Sequence, residues 1–124
     1  MTVNKTKARL KAGQSVIGCF VRHADPGLAE VLGHLGWDYL LFDGEHSAIS
    51  PRECENLARV CELTGVTPLA RVPYNLSSVI GQILDTGMQG VQIPMVNSGQ
   101  EAHAAALAEV SPARHAWSGG RACG

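Results

Sequence analysis

Asp43, Gly44, Glu45 and His46 occupy four consecutive positions, and an arginine, Arg71, stands farther along the chain. Two carboxylates and an imidazole around a glycine suit metal binding or proton transfer, because each can accept or hold a proton near neutral pH. An arginine adds a planar, permanently charged fork that grips a carboxylate or steadies a developing oxyanion. Each feature also has a plainer reading. D-G-E-H could be the polar loop that follows any strand, and Arg71 could form a structural salt bridge to Asp43 or Asp85.

The elements needed to bring these residues together are legible in the chain. Tyr39–Phe42 is bulky on both faces, as a parallel strand covered on both sides must be. Such a strand presents its chemistry just past its carboxyl end, where Asp43 to His46 lie. Further strands are expected over 16–21, 67–72 and 90–94. A short basic helix is expected over 4–12, closed by Gly13. Asp25-Pro26 starts a helix with Leu28, Val31, Leu32 and Leu35 on one stripe. Ser50-Pro51 starts another, with Glu53 completing a capping box and Leu57, Val60, Cys61 and Leu63 facing inward. A third begins at Asn75 or Ser77 and carries Val79, Ile80, Ile83 and Leu84. A fourth follows Ser98 and spans 100–110. Strand starts recur about every 25 residues, the period of βα units with parallel strands and right-handed crossovers. If the second and third strands are neighbours, their carboxyl ends lie about 5 Å apart. Asp43, Glu45 and His46 then face Arg71, with Cys19 or Phe20 on the side of the first strand.

Composition narrows the function classes. The 124 residues suit a single domain, and 45% apolar content can fill a core. A net charge of −1 with no basic run argues against a nucleic-acid partner. No apolar run approaches the ~20 residues of a membrane span. The amino-terminal Lys5, Lys7, Arg9 and Lys11 lack the apolar core of a signal peptide, so a cytoplasmic location is expected. Cys19, Cys54, Cys61 and Cys123 are too widely spaced for a zinc knuckle. Cys54 and Cys61, two helical turns or roughly 10 Å apart, are too distant for a disulfide and are expected to be ordinary thiols.

Several segments carry a family resemblance: V-I-G-C-F at 16–20, G-W-D-Y-L-L-F-D-G-E-H at 36–46, A-R-V-P at 70–73, Q-I-L-D-T-G at 82–87 and V-Q-I-P-M-V-N-S at 91–98. Together, from about residue 5 to about 110, they resemble the HpcH/HpaI aldolases of the 4-hydroxy-2-oxoheptanedioate aldolase type. These are class II pyruvate aldolases on a TIM barrel. The resemblance implies an α/β fold comprising the first four βα units of a truncated TIM (β/α)8 barrel, with a short N-terminal helix. It implies His46 as proton acceptor, Arg71 as the group that stabilises the pyruvate enolate, and Asp85 as the acid that raises the basicity of that histidine. Asp43 and Glu45 become supporting members of the loop.

The same resemblance implies retro-aldol cleavage of a 4-hydroxy-2-oxo acid to pyruvate and an aldehyde. A divalent metal, Mg²⁺ or Mn²⁺ and in some members Co²⁺, polarises the substrate carbonyl. The family's glutamate and aspartate metal ligands fall beyond residue 124, so this chain is expected to hold no metal and to be an inactive fragment. No lysine lies near the expected strand ends, which leaves a Schiff-base route without a nucleophile. The expected partners are a small 2-oxo acid and, for full-length relatives, further copies of the same chain.

Residues 1–111 match the amino-terminal half of such a barrel. The tail 112–124, S-P-A-R-H-A-W-S-G-G-R-A-C-G from Ser111, does not continue the family pattern, and a frameshift is the expected origin of the truncation. Alternative readings are a non-catalytic truncated product, a citrate-lyase-like or malyl-CoA-lyase-like relative, or an unrelated α/β binding domain. The pairing of D-G-E-H with A-R-V-P favours the pyruvate aldolases.

Overall fold

A computed structural model describes residues 3–109. The expectations for 112–124 lie outside the described residues. In chain order the elements are α1 (Lys5–Lys11), β1 (Gly18–Val21), α2 (Pro26–His34), β2 (Tyr39–Asp43), α3 (Pro51–Thr64), β3 (Thr67–Arg71), α4 (Ser77–Asp85), β4 (Val91–Gln92) and α5 (Gly99–Glu109). The four strands form one parallel sheet in the order β1-β2-β3-β4. This is the arrangement of four consecutive βα units of a (β/α)8 barrel.

Side chains alternate across the sheet and split it into two faces. Leu40, Phe42, Ala70 and Val72 point to the helical side and join Leu57, Cys61, Ile80 and Ile83 in the buried core. The opposite face carries Phe20, Leu41, Leu69 and, at the strand ends, Asp43 and Arg71. There α1 closes one end. Thr6 Oγ1 donates to the Asp38 carbonyl at 2.9 Å and lies 2.8 Å from Thr67 Oγ1, and Arg9 pairs with Asp38. Above α1 this face opens into a cavity of about 290 Å³ lined by Leu10, Tyr39, Leu41 and Leu69 among others.

Several local expectations hold. Asp25 Oδ1 accepts from the Gly27 N–H at 2.8 Å, so the cap and Pro26 start α2 as the sequence implies. The Ser50 N–H donates to Glu53 Oε2 at 2.6 Å at the start of α3, and α4 buries Ile80 and Ile83. Others need correction. The first strand is shorter than 16–21, because Asp38 takes the Ile17 backbone groups: its carboxylate accepts the Ile17 N–H and its own N–H donates to the Ile17 carbonyl. The fourth strand is two residues rather than 90–94, since Pro94 has no N–H to extend an edge ladder.

Of the stripe expected on α2, Leu32 packs against the core while Leu28, Val31 and Leu35 are exposed. The buried residue is Ala29, with Leu32 and Gly33 beside it. A Cβ on Gly33 would sit 2.3 Å from Thr64 Oγ1, so this small-residue face lets α2 close directly onto α3. On α3 the inward residues are Cys54, Leu57, Ala58 and Cys61, while Leu63 is 86% exposed.

The two phenylalanines separate these faces experimentally. Phe42 is fully buried, and Phe42→Ala is expected to lower the unfolding free energy by about 3–5 kcal/mol through the cavity it leaves. Phe20, 54% exposed, leaves far less of its ring buried and keeps a contact with a nearby guanidinium, so Phe20→Ala should cost about 0.5–1 kcal/mol. Urea titration of both variants checks the difference.

Candidate active site

The register sets Asp43 of β2 directly beside Arg71 of β3. Their side chains meet as a two-pronged ion pair, Arg71 Nε to Asp43 Oδ1 at 3.0 Å and Nη2 to Oδ2 at 2.7 Å. Asp43 is 1% exposed, and such a charge persists in the interior only when fully paired. Its Oδ1 also accepts the backbone N–H groups of Glu45 and His46, each at 3.0 Å. Its carbonyl accepts from the Ser47 hydroxyl. The carboxylate thus fastens both the arginine and the turn that follows it. The Arg71 guanidinium holds the Asp43 carboxyl well below the usual carboxylate range; the two N–H groups help and burial opposes. The same hydrogen bond pushes Arg71 up from its ordinary value.

Gly44 is required here by proximity rather than by an unusual backbone angle. Its N–H donates to the Arg71 carbonyl at 2.9 Å, and a Cβ would lie 2.7 Å from that oxygen. The turn therefore lies against β3 and directs Glu45 and His46 over the sheet end. Glu45 Oε2 stands 3.2 Å from Arg71 Nη1 and 3.8 Å from His46 Nε2. One carboxylate oxygen thus lies near both the arginine and the imidazole. Of the two candidates from β1, it is Phe20 whose ring meets the arginine, 5.3 Å from Arg71 Cζ.

Asp43, Glu45, His46 and Arg71 are brought together. Asp85 is not brought to them. It is the last residue of α4, exposed, and the chain beyond it enters the sheet where the Gln89 N–H meets the Pro68 carbonyl at the start of β3. That is the opposite end of the sheet. The plainer reading of Arg71 as a salt-bridge residue also holds in part, with Asp43 as its partner.

The sequence reading missed Arg22. It follows β1 at the same sheet end, its Nη2 donates to the His46 carbonyl at 2.5 Å, and its Nε is 3.9 Å from Asp43 Oδ2. Its place one residue past the first strand was a usable signal.

The described residues do not fit a divalent ion. No group of three or more His, Cys, Asp or Glu side chains among them could hold one. Asp43 spends both oxygens on Arg71 and on backbone N–H groups. Nor do the buried thiols offer chemistry. Cys54 and Cys61 are buried and unbonded, and burial pushes them up to about 11 and about 12. The cluster lies on an open sheet end. The adjoining cavity of about 220 Å³, between β3, α3 and α4, shares only Gly44 and Arg71 with it.

With this geometry established, comparison with known proteins is decisive. The HpcH/HpaI aldolase/citrate lyase family matches residues 16–116. The chain belongs to that family. A hydroxypyruvate/pyruvate aldolase of Roseobacter denitrificans is 35% identical over 100 residues, covering 81% of this chain and 39% of the relative. The crystal structure of an HpcH/HpaI aldolase from Desulfitobacterium hafniense superposes with a TM-score of 0.75 at 32% identity, over 80% of this chain and 39% of that one. The citrate synthase SbnG is similar as well, at 36% identity and a TM-score of 0.68 over 73% of this chain and 37% of its own. The chain spans about two fifths of the length of these relatives. Among the described residues, no helix is long and apolar enough to cross a membrane.

The Asp43 pair has a pH signature. A depressed carboxyl contributes stability that is fully present above the unfolded value of about 3.9 and is lost as pH falls from there towards the folded value. The urea midpoint should therefore fall between about pH 5 and pH 2, and Asp43→Asn should flatten that dependence. An equal slope in wild type and variant would exclude the pair as its source.

Proposed function

We propose that the cluster at the ends of β1, β2 and β3 is part of the active site of a pyruvate-aldolase-type carbon–carbon lyase, cleaving 4-hydroxy-2-oxo acids to pyruvate and an aldehyde. The observation that carries this reading is the Glu45 oxygen shared by Arg71 and His46. It places a fixed cation beside an exposed imidazole, on the D-G-E-H and A-R-V-P segments typical of the family. In this reading His46 takes the proton of the substrate's 4-hydroxyl. The Arg71 guanidinium, held flat by Asp43, faces the negative charge that develops as the C3–C4 bond breaks. Asp43 and Glu45 orient these two groups and touch no substrate. Asp85, the last residue of α4, lies at the far end of the sheet from this cluster. The divalent ion belongs to the reading only through residues other than those described. A citrate-synthase-type condensation is the second reading, supported by the similarity to SbnG; it would form a carbon–carbon bond and release no pyruvate.

The test transplants residues 16–109 into the matching segment of the Roseobacter aldolase and follows pyruvate with a coupled dehydrogenase. The chimera should turn over a 4-hydroxy-2-oxo acid. Arg71→Lys, which keeps charge but loses the planar fork, should reduce kcat by about 10²-fold or more. His46→Ala should reduce it by about 10²–10⁴-fold. The 124-residue chain alone, given Mn²⁺, should release no pyruvate. Chelator-sensitive turnover by that chain, or full activity in both variants, would contradict the assignment.

A further inference from the structure

The two arginines at this sheet end are unequally occupied. Arg71 donates twice to Asp43, has Glu45 against its third nitrogen, and its side chain is only 21% exposed. Arg22 reaches Asp43 from the other flank. Val21 pairs with Phe42, so the next residue falls level with Asp43 just as Arg71 does from β3. Its side chain is 64% exposed, and one hydrogen bond, to the His46 carbonyl, fixes its position. A guanidinium has five N–H donors, so this single hydrogen bond leaves donors on the largely exposed side chain for a ligand.

Charge balance gives that position a consequence. Asp43, Glu45 and Arg71 alone sum to one negative charge, which disfavours an approaching organic acid. Arg22 restores neutrality and supplies the exposed donors that an incoming carboxylate needs.

We propose that Arg22 is a substrate-binding residue, a carboxylate-docking guanidinium held in place by the His46 backbone. The carboxylate of an organic acid binds the open edge of Arg22, while Arg71, fixed by Asp43 and Glu45, keeps the place facing the reacting carbon proposed above. Only the identity of that acid as a 2-oxo acid rests on the function proposed above.

The experiment titrates the 124-residue chain with sodium pyruvate and, separately, sodium acetate against sodium chloride at matched ionic strength, following the Gly44, Glu45 and His46 amides by NMR. Pyruvate should shift these amides saturably. Arg22→Gln should weaken binding by about tenfold or more, and Arg22→Lys, which keeps the charge without the fork, by less. Arg52→Gln removes an exposed positive charge from α3 and should leave the affinity unchanged, which separates a local site from net charge. A well-dispersed spectrum of Arg22→Gln establishes that the variant is folded, and Arg22→Lys provides the comparison if it is not. Wild-type affinity in Arg22→Gln, or no saturable shift with either acid, overturns the proposal. Equal, Arg22-dependent binding of acetate and pyruvate supports the carboxylate site while counting against the 2-oxo acid reading.

Discussion

The site depends on a single buried ion pair between neighbouring strands. Asp43 ends β2 and Arg71 ends β3, and the parallel register makes them partners before any side-chain preference acts. Removing a carboxylate from water costs several kcal/mol, which only a well-aligned partner and further hydrogen bonds offset. Asp43 has both: two bonds from Arg71, and the N–H groups of Glu45 and His46 on Oδ1. The geometry of the turn is therefore a consequence of satisfying one acid. The close approach at Gly44 completes it, because only a residue without Cβ can lie against the Arg71 carbonyl.

This order of causes explains which features were legible in the sequence. Tyr39–Phe42 could be recognised as a central strand because burial on both faces demands apolar residues at every position. Once β2 and β3 were neighbours, the proximity of Asp43 and Arg71 followed from strand spacing alone. Which partner Arg71 would choose did not follow, since the sequence alone offered both Asp43 and Asp85. The orientation of α2 was hidden for a different reason. Leu28, Val31 and Leu35 have the right period for a buried stripe, but the small face at Ala29 and Gly33 permits closer packing and goes inward. Periodicity identifies a helix without saying which of two adjacent stripes is covered. Arg22 escaped attention because no local motif marks it, although its place one residue past β1 carried a signal.

The electrostatics also separate support from recognition. Asp43 and Glu45 look like candidate metal ligands in the sequence, yet in the structure they serve as counter-ions to Arg71. In the function proposed above, this sheet end supplies one sector of the site, the sector that carries the guanidinium groups and the imidazole. Asp85, at the opposite end of the sheet, lies outside that sector.

The central claim is that the Asp43–Arg71 pair, rather than either residue alone, organises this sheet end. A double-mutant cycle with Asp43→Asn and Arg71→Gln, measured by urea unfolding, tests it most directly. Contacting residues in one network couple by up to about 3 kcal/mol, and a coupling of about 2–3 kcal/mol is expected. Additive losses, agreeing within about 0.5 kcal/mol, would contradict the claim and show that the turn is held by other means.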